Sequence, residues 1–469
     1  MADDWVRLIE GSECPPSTGE ITCAEHGPWR HIKFPAGAFT VSRQVSVPEN
    51  TVIEGVDNPN DEDKTKKPDY SRQTVFVASD GLSDGQACYC QNLKRTWEPL
   101  SPSNPYHCQD LTNEQVKSLR KGFLMFSNTV VKNIAFQGKD TLRPSDNGAL
   151  CGGGVFETPG CVHNQCKFPH LMTGDGKPVT NVAIENVRLN DYMADPELAS
   201  QLAVWVAQTT DTETPTSDVR VKNLVAMFLH ADGINFHGFV QNAIVDDCYI
   251  QNTGDDIYAV WGSHFDTKGI VFQNSVGVDA GRARQNHYGS CVAVYGAKEA
   301  TFRNLKCFAP EQNTRDCYDS RHNGETCNGC LGIIKESFDA DYSGSVFTFT
   351  DNKFYVLKRW EENGHQIYDL TNPEETGRPE ICNNEWTKGG LTINVDVASY
   401  TSLGGVAVDE GNGVGTAKYD CDLSCCKAYC TSQPACNSFA WSAQYQQCFL
   451  KDAVLQEGSA VFTTYIQNQ

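Results

Sequence analysis

The sequence predicts an all-β fold in which a right-handed parallel β-helix, a solenoid, is followed by a small disulfide-rich module. Three features predict it: 39 glycines and 20 prolines mark many turns, a short strand pattern recurs along the chain, and cysteines crowd near its end. We expect residues 1–405 to form the solenoid and carry the chemistry, residues 406–416 a glycine-rich linker, and residues 417–469 the small module.

The recurring pattern is a short β-branched strand that carries an asparagine or another turn residue. Its copies occupy residues 131–136, 179–187, 221–225, 240–245, 267–274 and 297–304. Marker positions 223, 242, 269 and 299 lie 19, 27 and 30 residues apart. An irregular period of this size is typical of solenoid coils, whose apolar side chains become buried only when the coils stack. Residues 34–55 resemble the opening coil of the pectin-lyase-like β-helix proteins.

The 21 cysteines are more than a reduced cytosolic protein usually carries, so we expect disulfide bonds and a secreted, extracellular protein. An odd count leaves at least one thiol unpaired or in an intermolecular bridge. We expect cysteine-bearing insertions at residues 84–120, 139–178 and 309–335. Cys327 and Cys330 form a Cys-x-x-Cys pair without a second pair at zinc-finger spacing, so we expect no metal site there.

The formal net charge of −21 argues against nucleic acid and anionic membranes as partners. It also argues mildly against a polyanionic substrate. No segment reaches 18 consecutive apolar residues, so no membrane insertion is expected. The first five residues lack the basic start and apolar core of a signal peptide, so we expect a mature chain with an added initiator methionine.

Six cysteines lie between Cys421 and Cys448, a density typical of a small stapled fold. The order Cys-x-Ser-Phe-x-Trp at residues 436–441, followed by Cys-x-Leu at residues 448–450, resembles the PAN/apple domain. The resemblance covers residues 417–467 and implies a protein- or carbohydrate-binding module. We therefore expect a tether to a surface or to a carbohydrate, with a polysaccharide as the substrate partner of the solenoid.

The residues most informative about function are three aspartates in two similar motifs. Asp232 lies in Ala-Asp-Gly-Ile-Asn, and Asp255 and Asp256 lie in Asn-Thr-Gly-Asp-Asp. Asp255 follows Asp232 by 23 residues, about one coil, so the motifs should stack about 4.8 Å apart. Crowded carboxylates push their pKa values apart, which provides the acid and the base that glycoside hydrolysis requires.

This wording and spacing most resemble glycoside hydrolase family 87, the inverting α-1,3-glucanases and mycodextranases. Family 28 polygalacturonases also use clustered aspartates, but their Asn-Thr-Asp, Gly-His-Gly and Arg-Ile-Lys motifs are missing here. The resemblance implies Asp255 as general acid, with Asp232 and Asp256 holding and deprotonating the attacking water. If the enzyme inverts, the acid and base carboxyls should lie roughly 6.5–9.5 Å apart. The expected substrate-binding residues are Tyr258, Trp261, His264 and His287.

Other interpretations remain open at the level of sequence. Asp-Gly and Gly-Asp are common turn dipeptides, and the pair Asp246–Asp247 is interpreted as structural. We expect no cofactor, with a structural Ca²⁺ in the aspartate cluster as the alternative. A uronan hydrolase or a polysaccharide lyase is a second enzyme class; a lyase would use a base such as Arg282, Arg284 or Lys298. A non-catalytic cell-surface adhesin is a third class. Trp205 and Tyr295 are interpreted as core or coil-face residues.

Overall fold

The structure is a computed structural model, and the part of the chain that it describes is almost entirely β. It describes residues 4–14, 20–60, 64, 69–78, 122–138, 169–189, 202–206, 213–229, 231–262, 266–280, 289–310, 330–335, 345–357, 359–362, 365–368, 374–375, 380–385, 392–395, 400–405, 426, 438–442, 447–451 and 463–467. Over these residues the prediction of an all-β fold is confirmed.

One α-helix, α1 (Asp4–Glu10), and two 3₁₀ turns, Tyr70–Arg72 and Gly174–Gly176, accompany 33 strands in the described residues. The strands are β1 Thr22–His26, β2 Trp29–Lys33, β3 Gly37–Val41, β4 Val45–Val47, β5 Thr51–Glu54, β6 Thr74–Ala78, β7 Phe123–Met125, β8 Thr129–Gln137, β9 Pro169–Thr173, β10 Thr180–Leu189, β11 Leu202–Val206, β12 Thr216–Met227, β13 Ile234–His237, β14 Val240–Asp246, β15 Tyr249–Gln251, β16 Tyr258–Trp261, β17 Lys268–Gln273, β18 Val276–Val278, β19 Val292–Val294, β20 Glu299–Arg303, β21 Lys306–Pro310, β22 Cys330–Lys335, β23 Val346–Thr350, β24 Lys353–Leu357, β25 Arg359–Glu362, β26 His365–Tyr368, β27 Glu374–Glu375, β28 Glu380–Glu385, β29 Thr392–Val395, β30 Tyr400–Gly405, β31 Ser438–Ser442, β32 Gln447–Lys451 and β33 Thr463–Gln467.

From β14 to β22 the chain makes three successive passes, each of which contributes three strands in the same order. These passes are β14, β15 and β16, then β17, β18 and β19, then β20, β21 and β22. Each strand pairs in parallel with its counterpart in the next pass. The third strand of each pass belongs to a nine-stranded sheet whose described pairings are all parallel, and the first two belong to an 18-stranded sheet.

The core lies between these sheets, because alternate side chains of each strand point inward. In β12, for example, Val219 and Val221 are fully buried, while Arg220 and Lys222, which alternate with them, are exposed. Phenylalanines in successive passes stack on one another; the ring centroids of Phe272 and Phe302 lie 5.3 Å apart. Each strand therefore buries its apolar face only through the passes before and after it.

One column of turns carries asparagines in left-handed backbone geometry. Their φ angles lie between 50° and 56°, a range that asparagine tolerates better than most residues. In the column, Asn186 Nδ2 donates to Asn133 Oδ1 at 2.9 Å, and Asn223 Nδ2 donates to Asn186 Oδ1 at 2.9 Å. Further along, Asn304 donates in the same way to Asn274 at 2.8 Å.

The asparagine ladder is interrupted at Asp247, which follows Asn223 in the column and has the same left-handed geometry. A carboxylate cannot donate a hydrogen bond, and the buried Asn223 Oδ1 has no hydrogen-bond partner among the described residues. Lys64 Nζ instead lies 2.7 Å from Asp247 Oδ1. Asp247 thus lies in a turn of this column and forms an ion pair with Lys64.

Helix α1 covers apolar side chains of the first strands. Trp5 and Ile9 are buried, and the ring of Trp5 lies 5.2 Å from that of Phe76. Arg30 donates to the carbonyl oxygen of Ile9 at 2.6 Å, which satisfies one of the free carbonyls at the helix end. The beginning of the core is therefore closed by a helix.

Disulfide bonds join Cys14 to Cys23 and Cys291 to Cys307, which confirms that the chain is disulfide-bonded. Cys426 is also disulfide-bonded, and Cys248 is a buried free thiol whose pKa burial raises to about 12. The insertion 84–120, most of the other two insertions and the linker 406–416 lie outside the described residues.

A separate four-stranded antiparallel sheet is formed by β30, β31, β32 and β33. Three of these strands belong to the expected C-terminal module, whereas β30 precedes the expected linker and pairs with β33. No helix in the described residues is long and apolar enough to cross a membrane.

Candidate active site

The two aspartate motifs are brought together by the pairing of β13 with β16. Ile234 pairs with Tyr258, and Asp232 and Asp256 each lie two residues before these partners. The backbone holds this register, since Gly233 N donates to Asp256 O at 2.9 Å. Gly233 is required here because a Cβ at this position would lie 2.5 Å from the carbonyl oxygen of Ile257.

The three carboxyl groups converge on one buried patch. One oxygen from each of Asp232, Asp255 and Asp256 lies within 4.8 Å of the other two. Their relative exposures are 2%, 7% and 0%, so Asp255 is the most accessible of the three. Convergence is the arrangement that acid and base catalysis needs, and it is opposite to the divergent arrangement that would favour a non-catalytic protein.

Specific donors hold two of these carboxyl groups. Asn235 Nδ2 donates to Asp232 Oδ2 at 2.7 Å, and the peptide N–H of Asp256 donates to Asp232 Oδ1 at 3.3 Å. Asp256 accepts at both oxygens as well: Ser290 N donates to Oδ1 at 2.8 Å, and Tyr295 OH donates to Oδ2 at 3.0 Å. These contacts fix the orientation of both side chains.

The pKa of Asp256 is raised well above its ordinary value, mainly because burial penalises the charged form. The charges of Asp255 and Asp232 raise the pKa further, while the donors Ser290 and Tyr295 oppose the increase. The site therefore places a carboxyl group that retains its proton to higher pH beside two neighbours, as a general acid–base pair requires.

Aromatic side chains form a row beside the carboxyl groups. The ring of His237 stacks on that of Trp261, with centroids 5.9 Å apart, and lies 5.9 Å from that of Trp205. Trp261 also lies 4.5 Å from Tyr295, which contacts Asp256. Trp261 is partly exposed, whereas the other three are buried, so Trp261 is the ring of this row that a sugar can reach.

Tyr258 is not placed beside the carboxyl groups. Its side chain is fully buried in the core, where its ring lies 5.6 Å from that of Phe272 and its hydroxyl donates to Val276 O at 2.9 Å. The structure gives Tyr258 a packing role because it alternates along β16 with outward-facing neighbours. We therefore correct the expectation of substrate contact and leave Tyr258 out of the proposed site.

His264 and His287 lie outside the described residues, as do Arg282 and Arg284. The three aspartates are close enough to share a cation, and they form the cluster that the alternative of a bound Ca²⁺ would use.

Sequence reasoning missed three residues that contact the carboxyl groups. Asn235 lies inside the first motif, three residues after Asp232, and its position on β13 could have indicated the contact. Ser290 and Tyr295 come from the pass that follows β16, and no motif marks them. The sequence favours a core or coil-face position for Tyr295, and its hydroxyl contact depends on a strand register that the sequence does not state.

Fold and site together define a class: an all-β protein of stacked parallel strands with a buried cluster of three aspartates. Residues 164–312 match the family model described as alpha-1,3-glucanase catalytic domain D2. The match covers roughly a third of the chain and contains Asp232, Asp255 and Asp256. It supports a glycoside hydrolase similar to the α-1,3-glucanases.

Solved structures similar to the chain have low identities and TM-scores. A catalytic domain of a GH87 alpha-1,3-glucanase D1069A in complex with tetrasaccharides has 13% identity and a TM-score of 0.37, over 71% of this chain and 42% of that chain. The catalytic unit of the thermostable GH87 alpha-1,3-glucanase from Streptomyces thermodiastaticus strain HF3-3 has 13% identity and a TM-score of 0.32, over 72% and 43%. PfbA, a surface adhesin of Streptococcus pneumoniae, has 10% identity and a TM-score of 0.31, over 74% and 92%. The chain thus spans less than half the length of these glucanase chains. The comparison with curated proteins found no match.

Proposed function

We propose that the chain is a secreted hydrolase that cleaves α-1,3-glucosidic linkages in a polysaccharide, with inversion at the anomeric carbon. The observation that carries this proposal is the buried cluster of Asp232, Asp255 and Asp256 inside the segment that matches the glucanase family model. The net charge of −21 favours a neutral glucan over a polyanionic uronan.

In the proposed reaction Asp255 donates a proton to the glycosidic oxygen as the bond to the anomeric carbon breaks. Asp232 and Asp256 hold a water molecule and take its proton as its oxygen attacks that carbon. The greater exposure of Asp255 suits contact with the leaving sugar, and the donors on Asp256 oppose the rise in its pKa that burial causes.

A competing assignment makes Asp256 the acid, because its pKa is raised. An activated substrate such as an α-glucosyl fluoride separates the two assignments, since a fluoride leaving group needs no general acid. If Asp255 is the acid, Asp255→Asn retains hydrolysis of the fluoride and Asp256→Asn loses it. The reverse result would assign the acid role to Asp256.

Inversion rests on the resemblance to family 87. The nearest carboxylate oxygens lie within 4.8 Å, which is shorter than the roughly 6.5–9.5 Å typical of inverting pairs and closer to the retaining spacing of about 5–5.5 Å. Proton NMR of the first product decides the point. A β-anomer released from the α-linked substrate supports inversion, and an α-anomer excludes it.

The decisive experiment measures sugar release from insoluble α-1,3-glucan, with polygalacturonate and alginate in parallel. We expect reducing sugar from the glucan alone, reduced at least about 100-fold in Asp255→Asn. The matched control is Asp246→Asn at the end of β14, because the Asp246 side chain accepts from Asn274 Nδ2 and can still do so as an amide. Unsaturated product from a uronan would replace the proposal with a lyase. No activity on any of the three substrates would favour a binding protein.

We further propose that the three-strand passes are the coils of a right-handed parallel β-helix and that the C-terminal sheet belongs to a PAN/apple-like tether. The repeated order of parallel strands supports the first proposal, and the cysteine pattern of residues 421–448 supports the second. The two disulfide bonds support secretion.

A further inference from the structure

We propose that Tyr295 is a positioning residue for Asp256 and that the segment 290–295 donates a hydrogen bond to each oxygen of this carboxyl group. The inference deepens the proposed function and rests on it, because it concerns the base of the proposed hydrolysis. Nothing in the family-model match or in the sequence motifs assigns Tyr295 such a role.

The two hydrogen bonds to Asp256 come from residues at the two ends of β19. Ser290, two residues before β19, donates its peptide N–H to Asp256 Oδ1, and Tyr295, directly after β19, donates its hydroxyl to Oδ2. A carboxyl group with a fixed donor on each oxygen cannot rotate without breaking one of the bonds. The strand between the two donors thus sets the plane of the Asp256 side chain.

The donors are themselves held in place. Ser290 O accepts from Ile257 N at 2.9 Å, and Tyr295 N donates to Val260 O at 2.8 Å, so both ends of the segment are bonded to the pass that carries Asp256. The disulfide between Cys291 and Cys307 joins the residue after Ser290 to β21. The Tyr295 hydroxyl therefore approaches Asp256 from a rigid support.

The Tyr295 ring lies between Asp256 and the side of the site that a sugar can reach. The ring lies 4.5 Å from that of Trp261, the partly exposed member of the aromatic row. A sugar that packs on Trp261 is thus two side chains away from Asp256. The ring of Tyr295 packs against Trp261, whereas its hydroxyl bonds to Asp256. Substitution by phenylalanine removes the hydroxyl and keeps the ring.

Removal of the hydroxyl should affect catalysis and its pH dependence. The titratable groups that face Asp256 among the described residues are Asp255, Asp232 and Tyr295. Without the Tyr295 donor, Asp256 retains its proton to higher pH, so the ionised base forms only at higher pH. The acidic limb of the activity profile should therefore move upward.

The test is Tyr295→Phe, measured on a soluble α-1,3-glucooligosaccharide. We expect kcat to fall about 10- to 100-fold, KM to change little, and the acidic limb of the pH profile to move to higher pH. The matched control is Tyr249→Phe, which removes another buried tyrosine hydroxyl, one that donates to Gln251 Oε1 at 2.6 Å on β15. Tyr249→Phe should leave kcat and the pH profile at wild-type values. A Tyr295→Phe profile that matches this control overturns the proposal.

A readout independent of activity is the free energy of unfolding as a function of pH. The folded pKa of Asp256 lies above its unfolded value of about 3.9, so its contribution to stability is present below that pH and is lost as pH rises through the folded pKa. In Tyr295→Phe the folded pKa is higher still, so the deficit relative to wild type should grow with pH. A constant deficit overturns the proposal. If wild type hydrolyses no α-1,3-glucan, the proposed function fails while this comparison still decides the role of Tyr295.

Discussion

Asp256 concentrates the electrostatic cost of the site in one side chain. It is fully buried, two further carboxyl groups lie within 4.8 Å, and its compensating contacts are two hydrogen bonds from a neighbouring pass. A fold that needed only stability would place an amide or an apolar residue there. Retention of three carboxyl groups at this cost is typical of a catalytic site.

The burial of Asp256 among other carboxyl groups predicts that this residue makes the free energy of unfolding depend on pH. In wild type, the contribution of Asp256 to stability should fall as pH rises above about 4, since the folded pKa of Asp256 is raised above its unfolded value. Asp256→Asn removes the titrating group, so its free energy of unfolding should decline less between pH 4 and pH 8, measured by urea denaturation. Asp246→Asn serves as the control. Equal pH slopes in wild type and Asp256→Asn would contradict the prediction.

At the scale of the element, the asparagine ladder shows how turns connect successive passes. Its amides bond from turn to turn until Asp247, where Asn223 Oδ1 is left without a donor. The ion pair with Lys64 is partly exposed and therefore contributes little. A buried oxygen without a hydrogen bond destabilises the fold by more than a partly exposed ion pair stabilises it.

Asp247→Asn should therefore raise the free energy of unfolding by about 0.5–1 kcal/mol, because the new amide can donate to Asn223 Oδ1. Lys64 Nζ keeps its bond to the carbonyl oxygen of residue 247. Urea denaturation at neutral pH measures the change. Asp218→Asn is the control, since Asp218 has the same left-handed backbone geometry as Asp247. The prediction is wrong if Asp247→Asn stabilises the protein no more than Asp218→Asn does.

At the scale of the whole molecule, the chain passes from the 18-stranded sheet to the four-stranded C-terminal sheet between residues 395 and 400. The last strand described in the 18-stranded sheet is β29, and the next strand, β30, pairs with β33 of the C-terminal sheet. A chain cut at residue 405 would keep β30 without this partner, and an unpaired strand edge promotes aggregation.

Two truncations test the division of labour. We expect residues 1–395 to hydrolyse soluble glucooligosaccharide about as well as the full chain and to bind insoluble glucan more weakly, as measured by co-sedimentation. Residues 1–405 should aggregate more than residues 1–395 in gel filtration, because β30 has lost β33. Unchanged binding to insoluble glucan after truncation would contradict the proposed tether.

Local sequence patterns were enough to predict the all-β class and to draw attention to Asp232, Asp255 and Asp256. Both follow from local rules: β-branched alternation and turn residues specify strands, and a separation of one coil brings two motifs together. The prediction of disulfide bonds followed from the number of cysteines alone. These properties depend on neighbours in the chain or on composition.

The direction of each side chain and its contacts depend instead on how the strands pack in three dimensions. Tyr258 and Trp261 are three residues apart in one strand, yet one lies in the core and the other beside the site, because alternate residues face opposite sides of a sheet. Tyr295 reaches Asp256 across 39 residues through strand register. Register is set by the stacking of whole passes, so no motif near Tyr295 could have indicated its contact.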